Sequence, residues 1–361
     1  MKYIDEYRDG AVIKSLADTI RRESKTPETV MEVCGGHTNS IFKFGIDALM
    51  PETVSLVSGP GCPVCVTPIH YIDTAIEYAK RSDVITVTFG DLIRLPGSGG
   101  SLERARMNGA DVRVVYSPSE ALSIAADNPA KTVLFLGIGF ETTAPLTAAL
   151  IDEAAAKGMT NLVILPSHRI MPPAMQALVT ADDIAVGAFI CPGHVSVVTG
   201  SGIYEFLARD HHVPCVISGF EPADILRSIL MIVRQRETGD ARVEIEYDRA
   251  VNAAGSRASQ DMLAKIFTLV DGEWRGLGVI PKSAYAIRPE YRQFDAVARL
   301  GAVDIPAREN PACICADVLR AVKKPVDCPL YKKTCSPDNP QGACMVSPEG
   351  SCNIYFRHGR G

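Results

Sequence analysis

The chain has 361 residues, 47% of them hydrophobic, with 37 basic against 42 acidic side chains and a net charge of −5. That length allows two or three domains with substantial cores, while the acidic balance and 6% aromatic content provide no broad basic surface and argue against nucleic acid as a partner. Met1-Lys2-Tyr3-Ile4-Asp5-Glu6 carries acid where a secretory signal needs a basic flank, and no apolar run approaches a membrane span, so a soluble, cytoplasmic protein without a membrane partner is expected. In that compartment eleven cysteines read as ligands, redox thiols or small core residues rather than as a disulfide scaffold.

From residue 28 to 240, short β-branched runs alternate with amphipathic or Ala-rich stretches. Strands are predicted at 29–33, 53–57, 84–89, 112–116, 132–136, 162–165, 184–190 and 213–218. Runs such as Val133-Leu134-Phe135-Leu136 lack strict alternation, which suits strands buried on both faces of a parallel, helix-covered sheet. Helices are predicted at 68–81, 144–157 and 222–236, with a capping-box signature at Ser117-Pro118-Ser119-Glu120. The polar stretch 125–131 offers a boundary. The fold class expected is therefore α/β: two Rossmann-like lobes with parallel sheets, 28–127 and 128–240, followed by a Cys-rich domain over 241–361 packed with an N-terminal helix in 1–27. Within the last part, 243–247 reads as an edge strand, and 260–269 and 316–322 as helices.

In parallel α/β sheets, ligands collect where strands end and helices begin. Four polar, Gly-containing loops take that position. Cys34-Gly35-Gly36-His37 offers a thiol and an imidazole, suited to iron, zinc or copper, or a lone nucleophile; a small buried cysteine beside a satisfied histidine is the bland alternative. Gly61-Cys62-Pro63-Val64-Cys65 has the spacing of a reversible dithiol whose first thiolate faces a helix N-terminus, with a zinc half-site as the main rival. Gly137-Ile138-Gly139-Phe140-Glu141-Thr142-Thr143 opens a helix and is weak as a dinucleotide fingerprint; Glu141 is a carboxylate able to move protons, or a helix cap. Cys191-Pro192-Gly193-His194 offers a further thiol and imidazole. Gly97-Ser98-Gly99-Gly100-Ser101 lacks the Lys-Ser/Thr ending of a phosphate loop and reads as a mobile loop.

Six cysteines fall in the last 49 residues. Cys313, Cys328, Cys335 and Cys352 form the framework C-x14-C-x6-C-x16-C. So Cys- and Pro-rich a segment builds little apolar core, and a bound centre would hold it together. The residues alone leave zinc and an iron–sulfur cluster open, and Cys315 stands as an alternative to Cys313, with Cys344 left over.

Taken in order, Cys34-Gly-Gly-His-Thr, Gly59-Pro-Gly-Cys-Pro-Val-Cys65, Gly139-Phe-Glu-Thr-Thr143, Cys191-Pro-Gly-His-Val-Ser196 and the C-terminal cysteines closely resemble the HypD family of [NiFe]-hydrogenase maturation factors, over nearly the whole chain. The resemblance implies a cofactor-assembly scaffold with redox activity rather than a conventional turnover enzyme. Its resident cofactor would be a [4Fe-4S] cluster on Cys313, Cys328, Cys335 and Cys352, and its cargo Fe(II) carrying cyanide and carbonyl. Cys34 would hold that iron with a cysteine of a HypC-type small chaperone, cyanide would arrive from a thiocyanate-bearing HypE-type donor, and the hydrogenase large subunit would be served indirectly by a monomer within the hetero-complex. Cys62 and Cys65 would be the redox pair, and His37, Glu141 and His194 would line the cleft. Asn39 departs from the pattern, since many relatives have histidine there. Readings from other classes are a cluster-assisted thiol-disulfide oxidoreductase and a zinc-stabilised binding module.

Overall fold

A computed structural model describes residues 5–359. Its strands are β1 (Glu28–Glu32), β2 (Val54–Ser58), β3 (Val84–Thr88), β4 (Val112–Val114), β5 (Thr132–Gly139), β6 (Leu162–His168), β7 (Ala188–Pro192), β8 (Cys215–Ser218), β9 (Val243–Ile245), β10 (Phe267–Trp274) and β11 (Gly278–Ile287). One sheet runs β2-β1-β7-β8-β9 and a second β4-β3-β5-β6, both parallel throughout, while β10 and β11 form an antiparallel hairpin. The α/β class with parallel sheets is as expected.

The division at 127/128 is not how the strands sort. Strands β1 and β2 pair with β7 to β9, so the 28–58 and 188–245 segments make the first sheet and 84–168 makes the second as an insertion. Local composition marks where strands lie, but pairing across this separation depends on matching buried faces. Those faces sort by period two. In the first sheet Val30, Ala188, Ile190 and Val216 pack under helices Gly10–Glu23 and Pro222–Thr238, while Met31, Phe189, Cys191, Cys215 and Ile217 face the opposite way. In the second sheet Val133, Phe135, Leu162 and Ile164 pack under helix Ala144–Ala156, and Leu134, Leu136, Val163 and Leu165 face the same central core as Met31 and Phe189. Both sheets are thus covered on both faces, as parallel sheets require.

The N-terminal helix lies against Pro222–Thr238, with Ile20 in that helix-covered core and Arg234 donating to Glu23, so it belongs to the first sheet and not to the Cys-rich segment. Nor is 241–361 one body: β9 edges the first sheet, and helix Arg257–Ile266 packs on Ala144–Ala156. That helix stops at Ile266 instead of continuing to 269. The following Phe267-Thr268-Leu269-Val270 starts β10, where β-branched residues suit an exposed hairpin better than a helix. The capping-box expectation also shifts, because Glu120 opens the helix and its carboxylate accepts the N–H groups of Tyr116 and Ser117.

Beyond residue 310 the chain wraps back over the first sheet. Helix Ser351–His358 packs on helix Gly35–Lys43, with the Phe42 and Tyr355 rings 4.4 Å apart, and Ser351 Oγ lies 2.8 Å from Ser58 Oγ. Among the described residues no helix is long and apolar enough to cross a membrane.

Phe135 is fully buried in β5. Phe135→Ala should cost about 3–5 kcal/mol by removing a large side chain from a packed core, read as a lower denaturant midpoint for the second sheet.

Candidate metal and thiol site

Within the first sheet the spatial order is the doubly wound 2-1-3-4-5, whose switch point falls between β1 and β7. Cys34 follows β1, the Cys62 loop follows β2, Cys191–His194 closes β7, and Gly219-Phe220 follows β8. Their carboxyl ends therefore place Cys34, the dithiol and His194 along one edge of one sheet.

Cys34 precedes helix Gly35–Lys43, and its carbonyl accepts the N–H groups of His37 and Thr38. It is buried, and its Sγ lies 4.0 Å from His194 Nδ1. Burial, followed by the charge of Glu349, pushes the Cys34 thiol up to about 12, and the amides of Gly36 and His37 oppose this. Without a metal, Cys34 is a protonated thiol at neutral pH. Glu32, hydrogen-bonded to Thr38 at 2.6 Å and two residues from Cys34, is pushed up to about 8 by burial, so it too is mostly protonated at pH 7.

His37 Nε2 donates to the Gly219 carbonyl at 2.9 Å, which fixes the neutral tautomer and leaves the Nδ1 lone pair without a protein partner. Burial, then the nearby His194, brings its pKa down to about 3. The Phe220 ring stands beside both imidazoles, 4.6 Å from His37 and 5.3 Å from His194. His194 keeps part of its surface open to solvent while desolvation of the ring lowers its pKa to about 4, so the ring is neutral at pH 7.

Two glycines set the close approach. A Cβ on Gly61 would sit 2.2 Å from the Cys34 nitrogen, so only glycine lets the dithiol loop lie on the Cys34 backbone. A Cβ on Gly35 would lie 2.3 Å from the Glu349 carbonyl oxygen. The first dithiol member, Cys62, caps helix Pro63–Val66, its Sγ accepting the Cys65 N–H at 3.3 Å.

Glu141 takes a different position. It follows β5 in the second sheet, its Oε1 accepts the Met171 N–H at 2.8 Å, and among the described residues it makes no hydrogen bond to Cys34, His37, His194 or the dithiol. Its other oxygen is buried without a partner, and burial pushes its pKa up to about 7.

The six C-terminal cysteines surround one narrow apolar cavity with Ile314, Val318, Tyr331 and Met345. Among the described residues no group of three or more His, Cys, Asp or Glu side chains stands ready to hold a metal ion. The thiols ring a space instead of converging on a point, an arrangement suited to a multi-atom cluster more than to one tetrahedral ion. Two donors beside this region, Tyr331 Oη and Arg275 Nη1, are buried without partners, which also fits an anionic centre.

Cys315 and Cys344, unassigned from spacing, have Sγ atoms 2.7 Å apart. Cys315 also shares a hydrogen bond with Cys313, so both stand at the cavity as candidates for the first ligand. Cys65, raised above an ordinary thiol foremost by burial, shares a hydrogen bond with Cys344 and donates to the Ala343 carbonyl at 3.8 Å. A line of thiols thus runs from Cys62 through Cys65, Cys344 and Cys315 to the cavity. Glu32, Phe220 and Glu349 also went unmarked. Glu349's place three residues before Cys352 was the only cue, and nothing local pointed to the other two.

A family model described as "HypD: Hydrogenase formation hypA family" matches residues 11–359. The chain is 47% identical to a hydrogenase maturation factor HypD of Azotobacter vinelandii, covering 100% of this chain and 97% of that protein. It is 45% identical to the factor of that name from Cupriavidus necator, over 100% and 98%, and 43% identical to that of Escherichia coli K12, over 99% and 98%.

With Cys34 held near 12, its alkylation in the metal-free protein, followed by mass spectrometry, should keep rising with pH well past about 8.5, where a free cysteine levels off. Glu349→Gln removes a neighbouring negative charge and should make Cys34 react faster at each pH. A plateau at the ordinary thiol pKa would show that burial does not govern this group.

Proposed function

The chain belongs to the HypD family and is a hydrogenase maturation factor, and from that premise we propose that it holds iron(II) at Cys34 while cyanide and carbonyl ligands are added. The observation carrying this reading is that one sheet edge brings together a metal-seeking thiol, a dithiol laid on its backbone and a neutral imidazole at the mouth.

Low-spin iron(II) carrying cyanide and carbonyl is well served by soft thiolate. Because the Cys34 thiol is protonated in the metal-free site, iron binding releases its proton, and His194 Nδ1, 4.0 Å from the sulfur, is placed to pass it on to solvent. A HypC-type chaperone supplies a second thiolate at the open side. Burial of Cys34, His37 and the dithiol restricts water at the iron.

Cyanide arriving as a thiocyanate, R–S–CN, needs two electrons to leave as cyanide. The dithiol balances this: R–SCN with the Cys62 and Cys65 thiols gives R–SH, the Cys62–Cys65 disulfide and HCN. The S–C bond breaks, the S–S bond forms, and the two thiol protons end on R–SH and HCN. Restoring the dithiol takes two electrons and two protons, drawn from an external one-electron donor. Cys344 and Cys315, on the cavity wall nearest Cys65, pass the reduction on by thiol–disulfide exchange. Cys313, Cys328, Cys335 and Cys352 would hold a [4Fe-4S] cluster, which when bound supplies electrons singly.

The deciding measurement is the infrared spectrum of the chain purified anaerobically with a HypC-type partner, alongside Cys34→Ala. Metal-bound cyanide and carbonyl stretches should appear in the first sample and vanish in the variant. If both samples lack bands with the maturation partners present and the C-terminal centre intact, the thiol-disulfide oxidoreductase reading takes over. Zinc in place of iron and sulfide would favour the binding module. For the relay, Cys344→Ser should leave iron and sulfide content unchanged while the Cys62/Cys65 pair stays oxidised after a one-electron reductant is added, as read by thiol labelling.

A further inference from the structure

The tip of the β10–β11 hairpin is wedged between the dithiol and the Cys-rich segment. The Arg275 N–H donates to the Val66 carbonyl at 2.9 Å, at the end of the short helix that carries Cys65. Gly276, at φ +82°, brings the turn onto Ala316, next to Cys315, so closely that a Cβ there would lie 2.9 Å from the Ala316 Cα.

At this junction the hairpin places a cation. Arg275 is only 7% exposed, and a buried guanidinium costs several kcal/mol unless it is paired and hydrogen-bonded. Its ion-pair partner is Glu309, whose Oε1 lies 2.9 Å from Nε but off the N–H direction, so neither Nε nor Nη1 has a hydrogen-bond acceptor. The Glu309 side chain is also 47% exposed, so water shares its charge. Four residues on, Cys313 turns back to donate its N–H to the Asn310 carbonyl at 2.9 Å, which keeps it beside the Glu309–Arg275 pair. The Cys313 thiol is raised foremost by its hydrogen bond with Cys315 and by burial, and the Arg275 charge opposes both.

We propose that Arg275 sets the reduction potential of the iron–sulfur centre, its fixed positive charge acting through the Cys313 sulfur to favour the reduced, more negative state. The proposal rests on the cluster reading above. Arg275 touches no substrate, so it is a tuning residue, and its unpaired donors are what a thiolate-ligated, anionic centre would satisfy. The couple is a one-electron one: the centre gains one electron from the donor, no bond to Arg275 forms or breaks, and no proton moves. Glu309 is the counterweight, its carboxylate partly cancelling the guanidinium.

The test is an anaerobic redox titration, followed by electron paramagnetic resonance, of the full chain as wild type, Arg275→Met, Arg275→Lys and Glu309→Gln, with iron and sulfide measured in each. Arg275→Met should shift the midpoint to more negative potential, Arg275→Lys should restore part of the shift, and Glu309→Gln should move it the opposite way. A merely structural arginine would lower cluster content or melting temperature while leaving the midpoint of the loaded fraction in place, and that result overturns the proposal. Should Arg275→Met fail to load, the exposed Glu309 variant decides: a positive shift supports the proposal and no shift ends it. A wild-type chain without iron and sulfide sinks the cluster reading itself, whereas a loaded wild type with unmoved variants sinks only the role of Arg275.

Discussion

The parallel pairing of β1 with β7, Val30 to Ala188 through Glu32 to Ile190, is the contact on which the rest depends. It closes the first sheet around the inserted second sheet and creates the switch point at which Cys34 and His194 meet. Without it the Cys34 loop would end an edge strand and His194 would belong to another body. Once that pairing is made, β2 lies on the far side of β1, and Gly61 lets its loop settle on the Cys34 backbone.

Desolvation then fixes the chemistry. Cys34 and Glu32 are held toward their protonated forms and His37 and His194 toward their neutral forms, so the metal-free site carries little charge. Such a site favours an incoming cation that can exchange for a proton over a permanently exposed thiolate, which would be open to oxidation. The same dryness covers the line of thiols toward the C-terminal cavity. There, too, Cys65, foremost through burial, and Cys344, raised against the opposing hydrogen bond with Cys315 by those with Cys352 and Cys65, are poor acids until a metal or a redox partner takes the proton.

Much of this was legible in the sequence because it is local. Unalternated runs such as Val133–Leu136 gave buried parallel strands, and Gly next to Cys at strand ends gave the loops that carry Cys34, Cys62 and His194. What could not be read was long-range. The pairing of β1 with β7 leaves no trace in composition, so the expected boundary at 127/128 misses it, and Glu141 sits in the second sheet and makes no hydrogen bond to Cys34 or His194. The hairpin was hidden behind a helix ending at Ile266, and Arg275 went unnoticed with it. Cys315 and Cys344 looked surplus because their partnership is set by the fold of a coil-rich segment and not by spacing.

The interleaved topology also has a kinetic side. As the chain emerges from its N-terminus, β1 and β2 appear first, but β7 follows only after the whole second sheet, and Glu349 and helix Ser351–His358 come at the very end. Contacts so distant in sequence form slowly, and an unpaired β1 edge must wait for them. Cys34 therefore acquires its surroundings only when nearly the full chain is available, which makes the closed pocket around this thiol a late product of synthesis and leaves truncated chains without one.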